Sequence, residues 1–494
     1  MAKRNMSTFE RLQRGERLSR RERKQIERQL QAEEPGWEIV HRNVAGIDVG
    51  NESHFVAVDP RQTDQPVREF GSWTAGLHQM ADWLKTCQVQ RVVLQTTGVY
   101  WIPVQDVLEK AGLEVAVVDA RGTKNLPGRK SDVQECQWIR KLDIYGLLRG
   151  CFQVPDTIRS IRTIWRLRQR WVEDAGRSIQ QMQKALTLMN VQLANAITDL
   201  SGQTGMAILR AIVDGERNPW ILAKLRDPRI QASEDEIAHS LQGNWREDVL
   251  FELGQVLAAY NFQLQQIEKC EQQLEKYMKA QPTRPAVGPV LGQAAPGVEE
   301  APKKHKKKVC RRKGPRKNRI NFDLETELAR VMGADLTAID GIKLMTIQTI
   351  YSELGPDLSA FPTENHFASW LMLAPKRDIS GGKVIRHVWV KGRNRVANAL
   401  RMAAESLKHS QSYLGARYRS LRGRLGAPKA IKAMARYLAC LVYRMLMKGQ
   451  DWVDRGAAYY EQRRRQRELI HLQHKAKALG LQLIPAEVTT TGTE

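Results

Sequence analysis

Along the first third of the chain, short apolar runs alternate with stretches of helical period. Val44 to Val49 is apolar and carries Asp48 at its polar end; Glu52 to His54 reads as a turn, and Phe55 to Val58 as a second strand. A buried strand at Arg91 to Leu94 follows, then a helix, another strand at Glu114 to Asp119, and a helix that bears Asp132 and Glu135. Further on the period lengthens. Ile164, Leu167, Trp171, Ala175, Ile179, Met182, Leu186, Met189 and Leu193 recur at steps of three and four. So do Leu250, Leu253, Leu257, Tyr260, Leu264, Ile267, Leu274 and Met278, with Glu271 the one polar interruption. Two long amphipathic helices of near-heptad period predict an antiparallel hairpin or a coiled coil with a second copy. Between them, Ser201 to Asn244, with Pro219 and Pro228, reads as short helices at the hairpin tip.

The first region carries candidate chemistry. Asp132 and Glu135 are three residues apart, so on a helix both carboxylates share a face. A D-x-x-E alone usually marks a solvated helix face, and a strand ending in Asp usually just ends at a turn. Their order, a β-meander followed by β-α-β-α with a strand carboxylate facing a helical pair, predicts an α/β RNase H-like domain. Such a domain gathers oxygen ligands for Mg²⁺, and two ions roughly 4 Å apart clamp the attacking and leaving oxygens of a phosphodiester.

Composition narrows the partner. The 494 residues have room for two or three domains, and a net charge of +24 calls for a polyanion, with nucleic acid the default. Met1 to Gly36 interleaves basic residues with Glu and is not a signal peptide. No uninterrupted apolar stretch approaches a membrane span; even Ala427 to Met447 carries Lys429, Lys432, Arg436 and Arg444. Cys87, Cys136, Cys151, Cys270, Cys310 and Cys440 are scattered, as in a cytosolic protein with reduced thiols. His471 and His474 read as surface residues of a Lys-rich helix.

Gln281 to Pro302 is a Pro/Gly/Ala linker that runs into Lys303 to Arg319, where 11 of 17 residues are Lys or Arg and none is acidic. Lys306, Lys307, Arg311 and Arg312 in this block are expected to bind nucleic-acid backbone without reading sequence. From Phe322 a third region begins. Leu336 to Lys343, followed by an apolar helix to Gly355, resembles one half of a helix-hairpin-helix, in which a Gly turn and helix amides meet a phosphate. Next come Ala368 to Pro375 and Asp378-Ile-Ser-Gly-Gly-Lys383. Ser380 ahead of two glycines, with Lys383, Arg386, Lys391, Arg393 and Arg395 around it, suits attack on a phosphodiester, although the same spacing also fits an ordinary turn.

With these motifs in place the chain resembles the insertion-sequence-110 family of transposases, the RuvC-like DEDD recombinases of bacterial mobile elements. The resemblance runs from about Val44 to Leu479. It is carried by GIDVG (Gly46–Gly50), TGVYW (Thr97–Trp101), Thr123 to Asp132, the helical middle, AIDGI, FASWLMLAP and ISGGK. It implies an acidic tetrad for Mg²⁺ or Mn²⁺ at Asp48, Gln95, Asp132 and Glu135, a nucleophile at Ser380, and nucleic-acid contacts that include Arg129 and Lys130. It implies recombination of donor and target DNA guided by a structured bridge RNA, by a homo-oligomer (dimer or tetramer) in the bacterial cytoplasm, at the nucleoid and away from membranes. Two positions depart from the pattern. Glu135 stands for Asp and keeps the carboxylate, whereas Gln95 stands for Glu and removes one of four negative charges. Weaker metal binding follows, with Asp119 on the neighbouring strand the candidate to compensate. Two other readings fit: a RuvC-like junction nuclease, and an element-derived RNA- or DNA-binding protein that has lost catalysis.

The expected organisation is a basic extension (1–43), a RuvC-like catalytic domain (44–155), a helical coiled-coil hairpin (156–280), a linker with the basic segment (281–321), a mostly α-helical transposase domain containing the serine (322–450), and a terminal helix and tail (451–494).

Overall fold

The computed structural model describes residues 21, 22, 25, 28, 36–96, 98–119, 131–285, 320–380, 383–388, 392–449 and 455–482. The chain divides into two compact units, Met1–Gln153 and Val154–Glu494.

The first unit is built on a mixed five-stranded sheet in the order β3-β2-β1-β4-β5. β1 (Val44–Val49), β2 (Ser53–Ala57) and β3 (Val67–Gly71) form an antiparallel meander. β4 (Arg91–Thr96) and β5 (Glu114–Asp119) add in parallel on the other side of β1. The second strand starts at Ser53 rather than Phe55, because Val49 pairs with His54 and the turn needs only the residues before it. Helices α1 (Thr74–Thr86) and α2 (Trp101–Lys110) cover one face, where Ala45, Ile47, Val92, Leu94 and Val117 pack against Leu77, Leu84 and Leu108. Helix α3 (Asp132–Ile144) lies on the other, where Ile139 meets Val44, Val93, Ala116 and Val118. This is the RNase H-like arrangement.

Gly46 fixes how closely α3 can lie. A Cβ at this position would stand 2.6 Å from the backbone nitrogen of Arg140 and closer still to the carbonyl oxygen of Cys136. The helix backbone therefore rests on the bare backbone of β1, an approach only glycine allows. Arg140 Nε donates to the carbonyl of Val44 at 3.1 Å, and its guanidinium pairs with Asp59 at 3.0 Å. At the far end, the fully buried Asp143 accepts from Arg91 Nε at 2.8 Å.

The second unit begins with α4 (Asp156–Leu188). Four short helices follow, α5 (Leu193–Ala196), α6 (Gln203–Val213), α7 (Pro219–Ala223) and α8 (Glu234–Ser240), and then α9 (Glu247–Lys279). α4 and α9 pair antiparallel within the chain, with Ala175, Met182 and Leu186 against Leu253, Leu257 and Tyr260, and the short helices close the tip. Toward the start of α4 the buried stripe is Ile158, Ile161, Trp165 and Arg168, not Ile164, Leu167 and Trp171. The shift has an electrostatic cause. Glu271, the polar interruption in α9, is buried against Arg168 at 2.7 Å and also accepts the backbone N–H of Asn321 at 3.0 Å. A pattern count that scores Arg as outward-facing misses a stripe that runs through a buried ion pair.

The rest of this unit is mostly helical: α10 (Leu324–Met332), α11 (Leu344–Leu354), α12 (Glu364–Trp370), the hairpin β6 (Lys376–Ser380) and β7 (Lys383–Val388), then α13 (Arg395–Ser406), α14 (Tyr413–Leu425), α15 (Ala427–Lys448) and α16 (Gly456–Ala478). α15 is the central element, burying Met434, Leu438, Val442 and Leu446. Among the described residues no helix is long and apolar enough to cross a membrane.

Replacing Gly46 with Ala forces backbone against side chain at the α3–β1 contact. Gly46→Ala is expected to lower stability by about 2–4 kcal/mol, read by urea unfolding, whereas Gly112→Ala, with open space around it, carries only its backbone cost.

Candidate functional site

The first candidate site lies where β1, β4 and α3 meet. Ile47 stands opposite Leu94 in the parallel ladder, so the next residues, Asp48 and Gln95, are neighbours across it. Side chains alternate along a strand. Val44 and Val93 face α3, so Asp48 and Gln95 face it too. α3 starts at this edge: Ser131 caps it by accepting the N–H of Gln134 at 3.3 Å, and Asp132 and Glu135 occupy its first turn. Both acids also sit favourably at the positive end of the helix dipole.

The electrostatics record the proximity. Burial, then Glu135 and Asp132, push the Asp48 carboxyl up to about 6. Among the described residues, no group of three His, Cys, Asp or Glu side chains stands close enough to hold a metal ion as it is. The acids are electrostatic neighbours rather than a closed cage. The donor set nevertheless fits a hard divalent cation: three carboxylates and a buried amide offer only oxygen, and the mutual repulsion that raises Asp48 is what a cation relieves. Gln95 is 2 % exposed, so the neutral amide occupies the interior position beside Asp48.

Asp119 does not compensate. Val117 packs on the α1–α2 face and Val118 on the α3 face, so Asp119 alternates to the side away from Asp48.

The second candidate site is in the other unit. Ser380 ends β6 and lies across the ladder from Lys383, with residues 381 and 382 of the hairpin outside the described residues. Arg386 pairs in the ladder with Asp378. Arg393 is exposed ahead of α13, which Asn394 caps by accepting from Ala397 N at 3.0 Å. Arg395 is engaged elsewhere: it donates to Gln169 at 2.8 Å and stands 3.9 Å from Glu353, which also holds Arg166. Arg129, Lys130, Lys306, Lys307, Arg311, Arg312 and Lys391 lie outside the described residues.

Sequence reasoning passed over the groups that set the first site: Gly46, Arg91, Arg140 and Asp143. One signal was available. Asp143 follows Cys136 and Ile139 on one helical stripe, and a carboxylate continuing an apolar stripe calls for a buried cationic partner.

An RNase H-like sheet with carboxylates gathered at one strand end defines a class of nucleic-acid-processing enzymes. Residues 45–191 match the DEDD transposase model of IS110, and residues 333–419 match the model of the IS116/IS110/IS902 transposase family. The chain belongs to the IS110 family of transposases. No curated protein matches it.

Asp48 yields a pH signature. An ordinary aspartate ionises near 3.8, while Asp48 in the folded chain ionises near 6. Its protonated form therefore stabilises the fold fully below about pH 4, and that contribution is lost as pH rises through 6. Relative to wild type, metal-free Asp48→Asn is expected to gain about 1–2 kcal/mol after solvent screening, the gain opening between about pH 4 and 6 and levelling above that. Chemical denaturation across this range checks it; a gain independent of pH contradicts the assignment.

Proposed function

We propose that this chain cleaves and exchanges DNA strands as a transposase with two centres. In this reading Asp48, Asp132 and Glu135 hold Mg²⁺ or Mn²⁺ with Gln95 as a neutral fourth oxygen, and Ser380 is the nucleophile. A structured bridge RNA selects donor and target DNA for a homo-oligomer. The observation that carries the reading is geometric: Asp48 of β1 and the buried Gln95 of β4 are neighbours on the sheet face that α3 covers, and Asp132 and Glu135 occupy the first turn of that helix.

When bound, the divalent cation would supply Lewis-acid stabilisation of charge on the phosphate oxygens. The protein's own groups do the rest. The Ser380 hydroxyl bonds to phosphorus as it gives up its proton, and the bond from phosphorus to the deoxyribose oxygen breaks, that oxygen leaving with a proton. The phosphoserine conserves the bond energy, so a second DNA hydroxyl reverses the step and joins a new strand without ATP. Lys383, across the ladder from Ser380, together with Arg386 and Arg393 offsets charge on the phosphate. Arg129, Lys130, Lys391 and the basic block around Lys306, Lys307, Arg311 and Arg312 bind backbone.

A second reading rests on a specific observation: Gln95 is buried beside Asp48, where an acid would add a charge. On that reading the chain binds nucleic acid but no longer cuts. A junction nuclease using water at the same acids is the third.

One set of variants separates all three. Wild type and Gln95→Glu are expected to form a denaturant-resistant, protease-sensitive adduct on cleaved DNA, with Gln95→Glu saturating at about tenfold lower Mg²⁺. Ser380→Ala should lose both the adduct and strand exchange. Cleavage by Ser380→Ala at the normal rate selects the nuclease, and cleavage by Gln95→Glu alone selects the impaired protein.

A further inference from the structure

We propose that the groove between α14 and α16 binds a single-stranded stretch of nucleic acid, seating an unpaired base against Tyr413 and Tyr460 and adjacent phosphates on Arg463 and Arg467. The site is distinct from both candidate centres and does not depend on how either performs its chemistry.

The groove has a volume of about 450 Å³, within the range of small-ligand sites, and its lining includes Tyr413, Tyr460, Arg463, Arg467, His471 and Leu472. Both tyrosines are half-buried, and their rings meet edge to face with centroids 5.1 Å apart. Flat aromatic rings flanked by guanidinium groups match a nucleotide, whose base stacks on the ring while its phosphate takes the cation. A duplex keeps its bases stacked on one another and leaves this aromatic surface unused.

Charge singles out the occupant. α14 carries Arg417, Arg419, Arg422 and Arg424 and no acid. α16 carries six Lys and Arg against two Glu. Arg464 is neutralised by Glu468 at 2.9 Å, while Arg463 and Arg467, one turn apart and exposed, carry no ion pair among the described residues. α16 buries none of its residues, and Leu469, Ile470 and Leu472 stand about half exposed. Such a helix needs a cover. A second copy of α16 would set like charge on like, whereas a polyanion neutralises it. RNA and a displaced DNA strand offer the same chemistry.

The test uses the full-length protein and short oligouridine carrying one 4-thiouridine, with an oligothymidine carrying 4-thiothymidine and a duplex of the same length as the other arms. After photo-crosslinking, modified peptides are mapped by mass spectrometry. Crosslinks are expected in α14 or α16 with single strands and not with duplex. Their yield should fall about tenfold in Tyr460→Ala and persist in Tyr460→Phe. Arg467→Glu should weaken single-strand binding and reduce the slope of log affinity against log salt by about one. Stronger labelling by oligouridine assigns the groove to RNA, and by oligothymidine to DNA; either upholds the proposal. Because Tyr460 is only half-buried and no residue of α16 is fully buried, Tyr460→Ala should keep the wild-type helical circular-dichroism spectrum and a cooperative melt. Crosslinks that map elsewhere, equal labelling by duplex, or labelling insensitive to Tyr460→Ala would overturn it. So would a Tyr460→Ala variant that changes only self-association by sedimentation, which would make the groove a protein interface.

Discussion

The contact on which the first unit depends is backbone against backbone, α3 on Gly46 of β1. Everything at the acidic edge is set from there. Gly46 and Asp48 are two residues apart and so point to the same face, which places the helix over the strand just short of the carboxylate. Arg140 is tied to the carbonyl of Val44, and Asp143 to Arg91 at the opposite end of β4. These anchors fix both tilt and register, so the first turn of α3 can bring Asp132 and Glu135 to Asp48 only. Burial first, and then the charges of Glu135 and Asp132, raise the Asp48 carboxyl, and the anchors hold the helix against that repulsion.

The second unit is organised by charge buried on purpose-built surfaces. Arg168 and Glu271 join the two long helices in their shared interior, and Glu271 reaches on to the backbone of Asn321. Glu353 on α11 gathers Arg162 and Arg166 of α4 and comes within reach of Arg395 at the start of α13. Removing one partner of the buried Arg168–Glu271 pair is expected to cost about 3–5 kcal/mol, because the other charge is left stranded. The helical arm is thereby coupled to α13, the helix that follows the β6–β7 hairpin.

Much of the first unit was legible in the sequence. The strands at Val44, Arg91 and Glu114 follow from apolar runs, and the acidic helix from its place after the last of them. The side of the sheet taken by Asp119 was not legible, because Val115 to Val118 is apolar throughout and a strand buried on both faces gives no alternation to count. The role of Gly46 was hidden for another reason: the atoms it makes room for lie some ninety residues along the chain. In α4 the stripe was misread at the point where Arg168 replaces an apolar residue, since its partner Glu271 is a tertiary neighbour invisible to local periodicity. Ser380 could be read as a turn residue before two glycines; it ends strand β6, opposite Lys383 at the start of β7.

In the proposed function Asp48, Asp132 and Glu135 act together on one divalent cation. Its most direct test is Mn²⁺ binding to the full-length protein, followed by the loss of the free-ion electron paramagnetic resonance signal. A saturable site is expected in the wild type, which Asp48→Asn and Asp132→Asn each abolish and Gln95→Glu tightens by about tenfold. Equal Mn²⁺ binding by wild type and both Asn variants, all with native unfolding transitions, would contradict it.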